Sequence, residues 1–200
     1  MTRPTLLIAT TNRGKQRELG ELLGSLDAGL VFPETIGIRI EVTEDGATYR
    51  ENAAKKARVF AKAAGLPCLA DDSGLEVDAL GGEPGVRSAR YAGEGADDAR
   101  RRAFLLDRLR AVPAPRTARF VCVIAVALPG GETVFAEGEC RGEILLAERG
   151  ANGFGYDPVF RPAGKTRTMA ELSQQEKNQI SLRARGARAA IPLLRDFLPK

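Results

Sequence analysis

The sequence contains no histidine among its 200 residues. This absence excludes the commonest general base, the commonest metal ligand and every nucleophile that depends on a Ser-His or Cys-His pair. Any chemistry must therefore use carboxylates, lysines, hydroxyls or a hard metal ion.

Cysteine is also scarce. The chain has Cys68, Cys122 and Cys140, and their positions match neither a paired zinc spacing nor a Cys-x-x-Cys motif. We expect all three to be reduced and buried, which is typical of a cytoplasmic protein.

Long hydrophobic runs are missing as well. The apolar run "TLLIA" near the N-terminus is too short for a signal-peptide core, and no stretch approaches the length of a membrane span. The expectation is a protein without a membrane partner. The net charge of +4 is modest, and it suits an anionic substrate as well as a nucleic-acid surface.

The apolar residues of the chain are numerous enough to form one hydrophobic core. A length of 200 residues with 44% apolar content predicts a single domain over residues 1–200. "TLLIA", "GIRIEVTEDG" and "PCLA" have the patterns of three strands, and the last of them ends at Asp71 and Asp72. "ARFVCVIAVALPGGETVFAEGEC" predicts a hairpin, so the sheet should be mixed.

Helices are predicted between these strands. Apolar spacing predicts one after "TTNRGK", with Leu19, Leu22, Leu23 and Leu26 on one face. Pairs of capping residues predict a second, begun by Thr48 and Glu51, and a last one, begun by Ser173 and Glu176. The last pattern runs through Ile180, Ala184 and Ala187 to Leu198, with Pro192 as a kink or a new helix start.

The loop "TTNRGK" joins a predicted strand to a predicted helix. It is not a Walker A motif, because Ala9 and Gln16 stand where that motif needs glycine and Ser/Thr. Backbone N–H groups at a helix N-terminus, together with Lys15, still suit a phosphate. The alternative is an ordinary turn capped by Asn12 or Thr11.

Asp71 and Asp72 are neighbours in an extended chain, so their side chains should point to opposite faces and do different jobs. Without histidine or paired cysteine, a metal would be held by oxygen, and Mg²⁺ uses one or two carboxylates, waters and phosphates. "VTEDG" offers a further carboxylate, Glu44, from a predicted strand end. The alternative is that the two aspartates are turn and cap residues.

Two further motifs allow two interpretations each. "NGFGYDP" combines glycines with two aromatic rings, which can form a wall for a flat base or a hydrophobic plug beneath a loop. "ARRRAFLLDRLR", within a predicted helix over residues 97–112, can contact phosphates, but the spacing of Phe104, Leu105 and Leu109 favours a solvated amphipathic helix.

Taken together and in order, five segments resemble signatures of the inosine triphosphate pyrophosphatase family, which removes aberrant purine nucleoside triphosphates. They are "ATTNRGKQREL", "YRENAAKKA", "LADDSGLEVDALGGEPGVRSARY", "GFGYDPVF" and "ELSQQEKNQIS". The resemblance covers nearly the whole chain, and its third and fourth segments are specific.

The resemblance implies an α/β fold. Its expected form is an elongated mixed sheet flanked by helices, in two lobes with a central nucleotide cleft, and a homodimer as the usual assembly. It also implies Mg²⁺-dependent hydrolysis of ITP, dITP or XTP to the nucleoside monophosphate and pyrophosphate, with water attacking the α-phosphorus.

The resemblance also assigns residues to roles. Asp72 matches the catalytic acidic residue and, with Glu44, the metal carboxylates. The matches to triphosphate contacts are Thr10, Thr11, Asn12, Arg13, Gly14, Lys15, Lys56 and Ser73. The matches to the base and ribose side are Phe154, Gly155, Tyr156, Asp157, Lys177, Leu182 and Arg183.

One position departs from the family pattern. The family usually reads Ser-His-Arg where this chain has Ser181, Leu182 and Arg183. At about 100° per helical residue, Leu182 should lie about 200° from Ile180 and off the core stripe, where it can face the nucleotide. The alternative is a neutral surface substitution.

Other functions stay open. Because the base-recognition motif is the altered part, the substrate of a related pyrophosphatase could be another modified nucleotide, including a pyrimidine. A non-catalytic protein could bind nucleotides or nucleic acid through its arginine-rich helices; such binding would weaken with salt and need no magnesium. We expect no stable nucleic-acid partner.

Overall fold

The computed structural model describes residues 3–198, and the chain divides into two compact units. Among the described residues, unit 1 comprises residues 3–72, 122–138 and 183–198. Unit 2 comprises Ser73–Val121 and Glu139–Leu182.

In the described part of the chain, six strands form one mixed sheet in the order β2-β1-β3-β4-β5-β6. The strands are β1 (Thr5–Ile8), β2 (Gly29–Val31), β3 (Cys68–Val77), β4 (Thr117–Ala127), β5 (Thr133–Ile144) and β6 (Phe160–Pro162). β1 pairs in parallel with β2 and with β3, whereas β5 and β6 are antiparallel. The predicted hairpin is confirmed: β4 and β5 are sheet neighbours, and the N–H of Leu128 donates to the carbonyl of Glu132 across 2.9 Å.

Between residues 3 and 198, five α-helices accompany the sheet, and the predicted α/β class is confirmed. They are α1 (Arg13–Leu22), α2 (Tyr49–Ala64), α3 (Asp98–Leu109), α4 (Gln174–Ile180) and α5 (Leu182–Phe197).

The starts of α1, α2 and α4 follow the predicted caps. The Asn12 side chain accepts the backbone N–H of Lys15 and so caps α1. Reciprocal hydrogen bonds join Thr48 to Glu51 and Ser173 to Glu176 at the starts of α2 and α4. Each cap gives a partner to N–H groups that have none inside the helix, which explains why these helices begin where they do.

The strand predicted for "GIRIEVTEDG" is wrong. Residues 37–46 belong to none of the strands that the structure assigns between residues 3 and 198, so Glu44 does not lie at a strand end. Exposure nevertheless alternates from Ile38 to Gly46, as it would in an extended chain. Alternating exposure in this segment therefore did not indicate pairing with a neighbouring strand.

The predicted last helix is two helices. α4 ends at Ile180, Ser181 adopts an extended conformation with ψ 156°, and α5 begins at Leu182. The angle predicted between Ile180 and Leu182 is therefore wrong, because the two residues lie on different helices. Pro192 lies inside α5 and starts no further helix.

β3 is longer than predicted, and it continues through both aspartates to Val77. Asp71 and Asp72 are therefore internal strand residues and neither turn nor cap residues.

Each unit has its own apolar core. In unit 1 the buried side chains include Leu6, Leu19, Phe60, Leu69 and Ile124; in unit 2 they include Leu75, Leu105, Leu109, Ile144 and Phe160. Phe104 departs from the predicted stripe of α3, since it is exposed and contacts Tyr91 edge to face, with ring centroids 5.0 Å apart.

The three cysteines are free and buried, as predicted. Within the described part of the chain, no helix combines the length and the apolarity that crossing a membrane requires.

Candidate active site

Asp71 and Asp72 have different partners, as strand geometry requires. Asp71 is fully buried, and its Oδ2 atom lies 2.9 Å from Nζ of Lys15 and 3.3 Å from Nε of Arg183. Burial alone would raise the pKa of Asp71, but the charges of Lys15, Arg183 and Lys56 hold it well below its usual range. Asp71 is thus an anion already paired with cations.

Arg183 binds a second carboxylate. Its guanidinium pairs with Glu18 of α1 as well as with Asp71, and all three side chains are buried. Burial lowers the pKa of Arg183, but the two carboxylates raise it more, so the guanidinium stays charged. These contacts join α5, α1 and β3, and the predicted base contact of Arg183 stays a prediction.

Asp72 has a different environment. Its Oδ2 atom accepts a hydrogen bond from Nδ2 of Asn52 across 3.0 Å, and 6% of Asp72 is exposed. Burial raises the pKa of Asp72, and the negative charge of Glu44 raises it further. A buried carboxylate beside another carboxylate favours a proton or a cation.

Glu44 pairs with Lys56 of α2. Burial lowers the pKa of Lys56, but Asp71, Glu44 and Asp72 together raise it above its usual range. Lys56 is therefore a cation among three carboxylates, and its charge can equally meet the oxygens of a phosphate.

The chemistry of these oxygen donors fits Mg²⁺. Glu44 and Asp72 interact through their charges, and Mg²⁺ typically takes one or two carboxylates together with waters and substrate phosphates. Between residues 3 and 198, no cluster of three or more acidic, cysteine or histidine side chains could enclose a metal by itself.

The loop between β1 and α1 holds the predicted phosphate residues Thr10 to Lys15. Thr10 is buried and its hydroxyl accepts the N–H of Asn12 across 3.2 Å, whereas Thr11, Asn12 and Arg13 are exposed. Gly14 and Lys15 are half-buried in the first turn of α1. Side chains of this loop thus bond to backbone N–H groups of the same segment, and the loop leads into the N-terminus of α1.

In unit 2, Asp157 connects two of the predicted base-side residues. Its Oδ2 atom accepts the backbone N–H of Phe154 across 3.0 Å and lies 2.8 Å from Nζ of Lys177. The Lys177 ammonium lies 5.6 Å from the Phe154 ring centroid. Gly153 has φ +78°, and a Cβ there would overlap the Asp157 carboxylate, so this loop requires glycine.

The remaining predicted residues occupy defined positions. Ser73 follows Asp72 in β3 and is half-buried, and Leu182 is the first residue of α5. Leu182 is only 9% exposed, so the alternative that it lies at the surface is wrong, and its effect on base selectivity stays a prediction.

Comparisons with known proteins identify the family of this chain. A model of the Ham1 family matches residues 6–193. The chain belongs to the Ham1 family. It is 51% identical to a dITP/XTP pyrophosphatase of Geobacter sulfurreducens, over 99% of this chain and 97% of that protein. It is also similar to the solved structure of a HAM1 protein from Coxiella burnetii, with 41% sequence identity and a TM-score of 0.87. That match covers 96% of this chain and 99% of the Coxiella burnetii chain.

Sequence reasoning missed two polar residues of the candidate site in this member of the Ham1 family. Asn52 is 1% exposed and binds Asp72, and Glu18 is 3% exposed and binds Arg183. The sequence could have indicated Asn52, because it precedes Lys56 by four residues and so shares its face of α2. No local pattern indicates Glu18, since its partner Arg183 is 165 residues away in sequence.

Proposed function

We propose that this chain hydrolyses noncanonical purine nucleoside triphosphates, namely ITP, dITP and XTP, to the monophosphate and pyrophosphate. The activity named for its relatives supports the proposal. The observation that carries it is the contrast between the two aspartates: Asp71 is neutralised by two cations, whereas Asp72 is a buried carboxylate beside Glu44. We therefore assign the chemistry to Asp72, whose pKa is raised by burial and by Glu44.

In the proposed reaction, Asp72 accepts a proton from the water that attacks the α-phosphorus. The water oxygen forms a bond to that phosphorus, the bond from phosphorus to the bridging oxygen breaks, and pyrophosphate leaves. Asn52 holds the Asp72 carboxylate through the 3.0 Å hydrogen bond. Such hydrolysis depends on positioning and on charge neutralisation more than on covalent catalysis, which suits a chain without histidine.

Glu44 and Asp72 would hold Mg²⁺. When bound, the ion neutralises negative charge on the triphosphate. We assign the triphosphate to residues Thr10 to Lys15, Lys56 and Ser73. We assign the base and ribose to residues Phe154 to Asp157, Lys177, Leu182 and Arg183. The half-buried Phe154 ring, close to the Lys177 ammonium, suits a flat base.

Nucleic-acid binding is the weaker alternative, because arginines of α3 are engaged within the protein. Arg101 donates to the carbonyls of Ala89 and Ala96, and Arg102 donates to the carbonyl of Gly155. Another modified nucleotide as substrate is favoured by one observation: the departure at Leu182 is buried in a segment that we assign to the base.

We further propose a single domain, because the family match extends over both units. One cooperative unfolding transition is the expected result of calorimetry. The assembly implied by the resemblance is a homodimer, which light scattering would detect. The proposed location is the cytoplasm, since three free thiols suit a reducing compartment.

The decisive experiment measures pyrophosphate release from ITP, dITP, XTP, ATP, GTP and dUTP, with Mg²⁺ and with a chelator. We expect kcat/KM for the first three to exceed that for ATP and GTP, no release in chelator, and a loss of at least about 100-fold in kcat with Asp72→Asn. Release of inorganic phosphate instead, or an Asp72→Asn variant that keeps kcat close to wild type, would overturn the proposal.

A further inference from the structure

Gly155 lies in the middle of the loop that we assign to the base, and both of its backbone polar groups are bound by α3. Its N–H donates to Oδ2 of Asp98 across 2.7 Å, and its carbonyl accepts from a terminal guanidinium nitrogen of Arg102 across 2.9 Å. Asp98 and Arg102 are four residues apart and therefore share one face of α3. Helix α3, more than 50 residues away in sequence, thus binds both the N–H and the carbonyl of Gly155.

The conformation of Gly155 makes this double contact specific. Gly155 has φ +62°, in the left-handed region, so its two flanking peptide groups have an orientation that other residues rarely adopt. The neighbouring residues are held as well: the buried Tyr156 hydroxyl donates to the carbonyl of Ser88 across 2.9 Å, and the N–H of Phe154 donates to Asp157. The backbone on both sides of the half-buried Phe154 ring is therefore fixed.

Asp98 and Arg102 are themselves oriented by other charges. Asp98 also pairs with Arg101, and Nε of Arg102 lies 3.0 Å from Oε1 of Glu148. Burial would raise the pKa of Asp98, but the hydrogen bond from Gly155 and the charges of Arg101 and Arg102 lower it. An ionised acceptor and a guanidinium donor form stronger hydrogen bonds than neutral groups do.

We propose that Asp98 and Arg102 are positioning residues that set the Phe154 ring for the purine base by holding Gly155. The inference rests on the proposed function, because it takes Phe154 as the wall for the base. Neither residue needs to touch the nucleotide. This gives two charged residues of the arginine-rich helix a role that its amphipathic pattern did not predict.

A device that positions the base wall should act on binding. Stacking on Phe154 is made both in the ground state and in the transition state, so its loss raises KM and leaves kcat nearly unchanged. A general loss of fold would instead reduce the concentration of active enzyme, which lowers apparent kcat at constant KM.

The kinetic test uses Asp98→Ala and Arg102→Met, with Asp98→Asn and Arg102→Lys as conservative partners. Asn keeps an acceptor for the Gly155 N–H, and Lys keeps a cationic donor for its carbonyl. We expect KM for ITP to rise about tenfold in the first pair, with kcat within about twofold of wild type, and to recover mostly in the second pair. Arg100→Gln is the matched control, since Arg100 is exposed on the same helix.

A spectroscopic test is independent of activity. The chain has no tryptophan, so Phe154→Trp introduces a single indole into the loop. In that background, Asp98→Ala and Arg102→Met should shift the emission to longer wavelength and increase quenching by acrylamide, whereas Arg100→Gln should change neither.

The outcomes separate the two ideas. A wild-type chain that hydrolyses none of the panel overturns the proposed function, and the indole signal still decides whether α3 holds the loop. If ITP is hydrolysed but folded Asp98→Ala and Arg102→Met keep wild-type KM, or lose kcat at constant KM, the positioning role is overturned. Unchanged emission and quenching in the Phe154→Trp background also overturn it, as does a failure of Asp98→Asn and Arg102→Lys to recover KM.

Discussion

Asn52 connects the two carboxylates that we assign to the metal. Its Nδ2 atom donates to Oδ2 of Asp72 across 3.0 Å, and its Oδ1 atom accepts the N–H of Gly46 across 2.8 Å. Gly46 lies two residues after Glu44, in the segment without strand pairing. One buried amide thus fixes the Asp72 side chain and the backbone that carries Glu44.

Substitution of Asn52 or of Gly46 should break this bridge. Asn52→Leu removes both hydrogen bonds, and Gly46→Ala would place a Cβ 2.7 Å from Oδ1 of Asn52. We expect either variant to lower kcat about tenfold, because the Asp72 carboxylate and the backbone that carries Glu44 are then no longer held by the same side chain. Steady-state kinetics on folded protein would measure this. Wild-type kcat in both variants would contradict a role for the bridge.

Asp72→Asn and Asp71→Asn should fail in opposite ways. Asp72→Asn keeps its shape and removes the proposed base, so kcat should fall at least about 100-fold while the melting temperature holds. Asp71→Asn leaves Lys15 and Arg183 without their shared anion, so the free energy of unfolding should fall by about 3–5 kcal/mol. Denaturation and kinetics on both variants make the comparison. An active Asp72→Asn enzyme would refute the assignment.

Lys15→Ala and Lys56→Ala should weaken binding of the triphosphate. Each removes one positive charge from the site, and we expect KM to rise about tenfold with a smaller loss of kcat. Lys55→Ala is the matched control, since Lys55 precedes Lys56 in α2 but is exposed and pairs with Asp45. If both site variants keep wild-type kinetics, the phosphates bind elsewhere.

Leu182 is the buried departure from the family pattern. An oxo-purine offers an acceptor at its six position where adenine carries an amino donor. Leucine has no polar side-chain group and cannot distinguish the two bases by a hydrogen bond. Leu182→His should therefore raise the ratio of kcat/KM for ITP over ATP, by an amount that corresponds to about 1–3 kcal/mol, the cost of an unmatched buried polar contact. A flat or falling ratio in a folded, active variant would mean that position 182 does not contact the base.

The thiols should be inert in the native protein. Burial raises the pKa of Cys68 and of Cys122 to about 12, and Cys140 is buried too. Because only the thiolate reacts, iodoacetamide at pH 8 should label none of the three in native protein and all three after denaturation. Mass spectrometry counts the labels. Rapid native labelling would indicate local opening near these strands.

Local signals in the sequence predicted local structure well. Asn12, Thr48 and Ser173 each mark a helix start, because a cap depends on residues within one turn. The break at Ser181 was missed since the apolar spacing continues across it and neither glycine nor proline marks the end of α4.

The candidate site was predicted in its residues and less well in their contacts. The family resemblance named Asp72, Glu44 and Lys56, but no local pattern predicts that Lys15 and Arg183 share Asp71. A buried Glu18 contradicts its helix pattern unless Arg183 is known to lie against it. Such pairs arise from chain topology, and a single sequence carries no record of it.

The charge cluster of half-buried Lys15 with buried Asp71, Arg183 and Glu18 constrains how this sequence can change over evolution. Removing any one member leaves a charge without its partner, whereas replacing a whole ion pair by apolar residues of similar volume can leave the free energy of unfolding unchanged. The route between two such tolerated sequences passes through unstable single mutants. These four positions should therefore drift rarely and as a set, a form of epistasis that originates in electrostatics and does not require any of them to touch the substrate.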